Sequence, residues 1–151
     1  MFKHILLPVD GSRTSLAAVS RAAGLAKALG AKVTALYVID PYPFTGVGAE
    51  NPEGRVAYLS AANSEADYAM KTTSAALKEA GVEADCEVTE SNTSWRGVLD
   101  AAKTVGADLI VMGSHGRRGL EKLVIGSVAQ RVVAHADVSV LVVRDPGVSD
   151  D

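Results

Sequence analysis

Ala107 to Ser127, ADLIVMGSHGRRGLEKLVIGS, runs from an unbroken apolar segment into glycines and cations, and then towards a helix. Leu109, Ile110, Val111 and Met112 are apolar on both faces, as a central strand of a parallel sheet must be. A half-solvated antiparallel strand would alternate instead. Gly113 and Gly116 follow directly, and Gly126-Ser127 opens a helix that reaches to about His135. Strand, glycine-rich turn and helix in succession form the repeating unit of an α/β sheet.

The same unit recurs on either side. Upstream, KHILLPVD is a second strand apolar on both faces, ending at Pro8, Val9 and Asp10. A helix follows it with Leu16, Val19, Ala23, Ala26 and Leu29 at helical spacing, Ser12 as its N-cap and Gly30 as its stop. AKVTALYVID is the next strand. Residues 41–54 carry three of the chain's five prolines and three glycines, so they read as a loop, with a long helix over about 55–80 ending at Gly81. VEADCEVTE alternates, with Val82, Ala84, Cys86 and Val88 facing inward and Glu83, Asp85 and Glu87 outward. A helix from near Ser94 to Val105 leads into the 107–113 segment, and VSVLVVR closes the sheet. Five strands alternating with four helices imply an open parallel sheet with right-handed crossovers and helices on both faces, a Rossmann-like α/β fold. The charged third strand suits an exposed edge. With the two fully apolar strands in the centre, the order is 3-2-1-4-5. The last strand, Val138–Val143, is then an uncovered apolar edge, which invites pairing with a second copy of the chain.

Composition bounds the function. A chain of 151 residues, 48% hydrophobic and 22% charged, fits one domain spanning 1–144 with an acidic tail at 145–151. The net charge of −3 argues against a nucleic-acid binder. No segment has the roughly 20 apolar residues of a membrane span, and Ile5–Val9, broken by Pro8, is too short for a signal-peptide core. One cysteine, Cys86, excludes an internal disulfide and suits the cytoplasm. On the alternating strand it reads as a core residue.

Order 3-2-1-4-5 reverses between the first and fourth strands, and open α/β sheets bind ligands at the carboxyl ends of strands at such a point. Those ends are Pro8-Val9-Asp10 and Met112-Gly113. Gly113 and Gly116 allow a tight turn and close backbone approach. His115, Arg117, Arg118 and Lys122 bring positive charge, and the helix start at Gly126-Ser127 offers free N–H groups, a combination suited to phosphate. The alternative is a purely structural turn, since Ser127 and Gln130 have capping-box spacing. Neither a Walker A motif nor a GxGxxG fingerprint is present.

The pattern G-x2-G-x9-G-[ST], formed by Gly113, Gly116, Gly126 and Ser127, together with ILLPVDGS at the start and VLVV at the end, closely resembles the universal stress protein family over residues 2–144. Retention of these glycines resembles the ATP-binding branch, with an adenine nucleotide alpha hydrolase-like fold. The resemblance implies that Asp10 holds the ribose hydroxyls, Pro8 and Val9 shape the adenine wall, and Val38 offers backbone hydrogen bonds to the adenine edge. It further implies that Met112 and Gly113 touch ribose and base, that His115, Gly116 and Arg117 line the phosphates, and that Gly126, Ser127, Val128 and Ala129 close over them. Ala129 lacks the hydroxyl some relatives have, and NTSW at 92–95 departs from the family's Gly-x-Pro-Ala-like turn. The implied ligand is ATP, ADP or AMP, with Mg²⁺ held through the phosphates, and the implied assembly is a homodimer.

The other signals are weaker. Asp10 as a receiver-type phosphoacceptor would need a neighbouring acid, an Asp after the third strand and a Lys after the fifth; Glu90 and Arg144 stand in the latter two places. His4 and His135 read as structural, and Trp95 as a packing anchor. No Cys/His cluster has metal-ligand spacing. Two functions follow: a nucleotide-sensing regulatory module acting on a protein partner, or a slow ATPase or phosphate-transferring enzyme. Efficient hydrolysis needs a group that positions water, for which only His115 is at hand, so the sensor is favoured.

Overall fold

The computed structural model describes residues 1–41, 52–115 and 125–145. The expectations that fall on 42–51, on Gly116, Arg117, Arg118 and Lys122, and on the tail beyond Asp145 lie outside the described residues.

The elements follow in the order β1 (His4–Pro8), α1 (Arg13–Leu29), β2 (Lys32–Ile39), α2 (Pro52–Glu79), β3 (Ala84–Glu90), α3 (Ser94–Val105), β4 (Leu109–Gly113), α4 (Ser127–His135) and β5 (Ser139–Val143). All strands pair in parallel, in the order β3-β2-β1-β4-β5. Ile5, Leu6, Leu7, Ile110 and Val111 are wholly buried because helices cover both faces of the central strands. Ile5, Leu7 and Val111 pack towards α1 and α2, whereas Leu6, Leu36 and Ile110 pack towards α3 and α4.

Local chemistry sets the helix ends. Ser12 Oγ accepts from Ser15 N at 3.2 Å, and Gly30 ends α1 at φ 66°, a conformation that favours glycine. α2 starts at Pro52, inside the expected loop. Proline suits the first helical position because its missing N–H would have no partner there anyway.

Two expectations about buried faces change. In α1 the buried stripe is Ser15, Ala18, Val19, Ala22, Ala23 and Ala26, while Leu16 and Leu29 are exposed. Leu16 lies on the rim of that stripe and Leu29 in the last turn. Cys86 is exposed rather than core, as is Val88. β3 is an edge strand, and its inward face loses cover along its length, from buried Val82 through half-buried Ala84 to Val88. The desolvation that remains still pushes the Cys86 thiol above its ordinary pKa, against a lowering hydrogen bond with Ser74.

At the opposite end of the sheet from the glycine loop, Asp108 fastens β1 to β4. Its carboxylate accepts from His4 N at 3.0 Å and from Lys3 N at 2.9 and 3.1 Å, and its own N–H donates to His4 O at 3.0 Å. The bonds from His4 and Lys3 hold its carboxyl below the usual aspartate range. The folded chain therefore binds this proton more weakly than the unfolded chain. The resulting stabilisation is complete above an unfolded pKa of about 3.9 and vanishes as pH falls through the lower folded value. Asp108→Asn should cost about 1 kcal/mol near neutral pH, a modest figure for hydrogen bonds to a partly solvated carboxylate. Urea denaturation of both proteins should show that gap closing in acid, whereas a gap independent of pH would remove the charge from the account.

Candidate functional site at the point where the sheet divides

The two central strands stay together only briefly. β1 pairs with β4 at Ile5↔Leu109 and Leu6↔Ile110. β1 continues alongside β2 to Pro8↔Leu36, and β4 continues alongside β5 to Gly113↔Val143. Pro8 has no N–H to extend a ladder. A crevice therefore opens beyond Leu6 and Ile110, with Pro8 and Val9 on one bank and Met112 and Gly113 on the other.

Val38 lies past the last β1–β2 rung. Val9 N donates to Leu36 O at 2.8 Å, so the backbone groups of Leu36 face β1, and strand alternation turns those of Val38 the same way. Its N–H and C=O thus point to the side that β1 has left. Its side chain faces α3, where Val38 Cγ1 lies 3.1 Å from where a Cβ on Gly97 would sit.

Asp10 is built into the turn that starts α1. Its Oδ1 accepts from Ser12 N at 2.8 Å, its N–H donates to Ser15 Oγ at 3.2 Å, and Gly11 supplies the φ of 81° that the turn requires. The carboxylate is thereby held at the edge of the crevice by main-chain geometry. Arg13, the first residue of α1, pairs with Asp145 at 2.7 Å and so ties the chain beyond β5 to the same turn.

On the other bank, Gly113 packs against α1. A Cβ there would lie 3.0 Å from the carbonyl carbon, carbonyl oxygen and Cγ2 of Thr14. The structure thus gives this glycine a packing reason in addition to any ligand. Ser114 is 3% exposed and fully engaged. Its N–H donates to Val143 O at 2.8 Å, its C=O accepts from Gly126 N at 2.6 Å, and its Oγ lies 3.0 Å from His115 Nδ1. The Ser114–Gly126 bond ties the end of β4 to the start of α4. Sequence reasoning passed over Ser114, because nothing in the local pattern marks a serine for that link.

The capping box is not formed. Gly126, at φ −73° and ψ 161°, is the N-cap of α4, so the Ser127 hydroxyl lies one residue too far along to act as one. Gln130 Nε2 reaches Ile125 O at 3.3 Å instead. Among the described residues no side chain caps α4, and the N–H groups of Ser127, Val128 and Ala129 are left without partners inside the helix. The Ala129 methyl is buried, so this residue can present only its backbone, whereas Ser127 and Val128 are exposed. Helix α3 likewise starts without a side-chain cap, at Thr93.

Between the first turns of α3 and α4 lies a groove of about 530 Å³. One wall is Thr93, Ser94, Trp95 and Arg96; the other is Ser127, Val128 and Arg131. Trp95 does act as an anchor: its ring stacks on His135 at 4.5 Å, with the Arg96 guanidinium 5.1 Å from its centroid. Sequence reasoning missed the groove, whose walls lie some thirty residues apart in the chain.

Of the residues expected to bind ligand, Pro8, Val9, Asp10, Val38, Met112, Gly113 and His115 therefore collect at the carboxyl edge of the sheet with Gly126, Ser127, Val128 and Ala129; Gly116 and Arg117 lie outside the described residues. Such an arrangement defines an α/β domain with a crevice at a strand reversal, the place where folds of this class bind ligands, and a helix start beside it. The sequence profile of the universal stress protein family matches residues 1–144, and the chain belongs to that family. Universal stress protein MJ0531 of Methanocaldococcus jannaschii is 38% identical over 146 residues, covering 97% of this chain and 84% of the relative. The structure of universal stress protein UspA from Lactobacillus plantarum superposes with a TM-score of 0.84 at 28% identity, over 94% of this chain and 97% of the other. A universal stress protein solved in complex with cAMP gives 0.64 at 24% identity, over 95% and 97% of the two chains, a likeness of fold.

The contact between Gly113 and Thr14 is open to direct test. Gly113→Ala must move α1 or β4 by a few tenths of an ångström and should cost about 1–3 kcal/mol, as overpacking does. Chemical denaturation without any ligand measures this, and an unchanged midpoint would show that Gly113 serves something other than packing.

Proposed function

We propose that this universal stress protein is a homodimeric adenine-nucleotide-binding module with a regulatory role in the cytoplasm. The observation that carries the reading is the uncapped start of α4, held beside the divided sheet by the Ser114–Gly126 bond. Unsatisfied N–H groups and the positive end of a helix dipole suit a phosphate. In this reading the base lies between Pro8-Val9 and Met112, with the Val38 backbone at its edge, and Asp10 takes the ribose hydroxyls. Phosphates would lie at Gly126–Ala129 with His115, Gly116 and Arg117, and any Mg²⁺ would be carried by the phosphates. The cAMP complex of a protein with the same fold is in keeping with an adenine ligand. Binding would act by shifting the dimer or a surface read by a protein partner, rather than by rapid turnover.

Titration calorimetry with ATP tests the cradle. Gly126 has an extended backbone that any residue can adopt, so Gly126→Val should leave the fold intact. It should weaken ATP binding at least tenfold, about 1.4 kcal/mol, by placing a branched side chain against the phosphates. Equal affinity in a folded variant would overturn the phosphate assignment.

The dimer would form through β5, in which Leu141 is exposed and Val140 and Val142 are half-buried. Ser114 N donates to Val143 O, so the backbones of Val143 and Leu141 face β4 while those of Val142 and Val140 face the open edge. Val142→Pro removes an outward donor and spares the ladder to β4, a place where edge strands tolerate proline. Sedimentation should show a dimeric wild type and a variant shifted to monomer. A wild type that is monomeric at tens of micromolar, on the order of the Kd of a moderately tight dimer, would refute the interface.

A further inference from the structure

We propose that the groove between α3 and α4 is a subsite for a polyphosphate chain, carried on a nucleotide beyond its first phosphates or free in solution. The nucleotide-borne case rests on the function proposed above; the free case does not. The groove is about 530 Å³ and has Arg96 on one wall and Arg131 on the other, with no carboxylate among the described residues that line it. Both arginines are exposed, and among the described residues neither forms a salt bridge. Two guanidinium groups facing one cavity, neither ion-paired among the described residues, are notable in a chain of net charge −3. The hydroxyls of Thr93, Ser94 and Ser127 add neutral donors.

The ligand class follows from this chemistry. Guanidinium groups bind phosphate oxygens through paired N–H donors, and a chain of phosphates offers several such acceptors in a row. Stacking of Arg96 over Trp95 leaves its in-plane N–H groups able to donate. Trp95 is braced by His135, whose Nδ1 lies 2.9 Å from Arg131 O, so the wall carrying Arg96 and the helix carrying Arg131 are joined. Ser127 and Val128 line the groove and also form the start of α4. An anion seated on α4 could therefore extend into the groove without leaving cationic surroundings. The function proposed above leaves Arg96 and Arg131 without a role; the groove gives them one, as selectors for longer phosphate chains.

Trp95 is the only tryptophan, so its fluorescence reports on the groove. The full chain is titrated with sodium tripolyphosphate at constant ionic strength, using wild type, Arg131→Gln and Arg21→Gln, the last being exposed on α1 across the sheet. Wild type and Arg21→Gln should give the same saturable change, and Arg131→Gln should need at least tenfold more ligand. No saturable change in the wild type, or equal weakening in both variants, would overturn the proposal. Calorimetry with ATP and AMP separates the sources. Loss of ATP but not AMP affinity in Arg131→Gln marks a nucleotide-borne chain, and unchanged ATP affinity beside weakened tripolyphosphate binding marks a free one. A wild type that binds tripolyphosphate but neither nucleotide would retain the groove and remove the nucleotide reading. One that binds ATP independently of Arg131 and does not bind tripolyphosphate would do the reverse.

Discussion

The two-rung ladder between β1 and β4 governs everything at the carboxyl edge of the sheet. Had these strands run together for their full length, the Pro8 C=O, on the side that His4 O turns to Asp108 N, would pair with β4 and the sheet would present a closed edge. Instead each strand leaves with its outer neighbour, and backbone groups near Val38 face a gap rather than another strand. The division tolerates the missing donor of Pro8, and Asp108 holds the other end closed through Lys3 and His4. The crevice is thus a consequence of where hydrogen bonding stops.

Helix starts around that edge fall into two kinds. α1 is satisfied from within, by Ser12 and by the Asp10–Gly11 turn. α3 and α4 are not: Thr93 holds the cap position of α3 without a side-chain bond, and Gly126, which has no side chain, holds that of α4. Serine and threonine caps commonly stabilise a helix by about 1 kcal/mol, so the sequence forgoes that contribution twice on one side of the sheet. Residues of both helix starts line the same groove as Arg96 and Arg131, which concentrates positive potential there.

Much of this was legible in the sequence because it depends on patterns a few residues long. Two-sided apolar runs identified β1 and β4 as central, charges identified β3 as an edge, and Ser12 and Gly30 bounded α1. The misreadings arose where distant chain decides. Cys86 alternates as a core residue should, yet the face it occupies is barely covered on an edge strand. Ser127 and Gln130 have the spacing of a capping box, but Gly126, bonded to Ser114, holds the cap position, and α4 begins at Ser127. For Gly113, read as serving a ligand, the structure adds a packing contact with Thr14 that nothing in the sequence signals. The groove has no sequence signature at all, since its walls meet only through the packing of α3 on α4.

Four of the six buried residues of α1 are alanines, and the others are Ser15 and Val19. Alanine has no rotamers, so ordering this face costs little side-chain entropy and leaves few atoms that could swing aside to absorb a displacement. The helix rests on the sheet at a separation set by methyl groups and main chain, and Thr14 meets β4 at that same separation. A bank of the crevice built in this way behaves as a hard stop. It fixes the position of the Asp10 turn without the plasticity that a leucine-rich seam would bring, and it leaves adjustment on ligand entry to the α4 side.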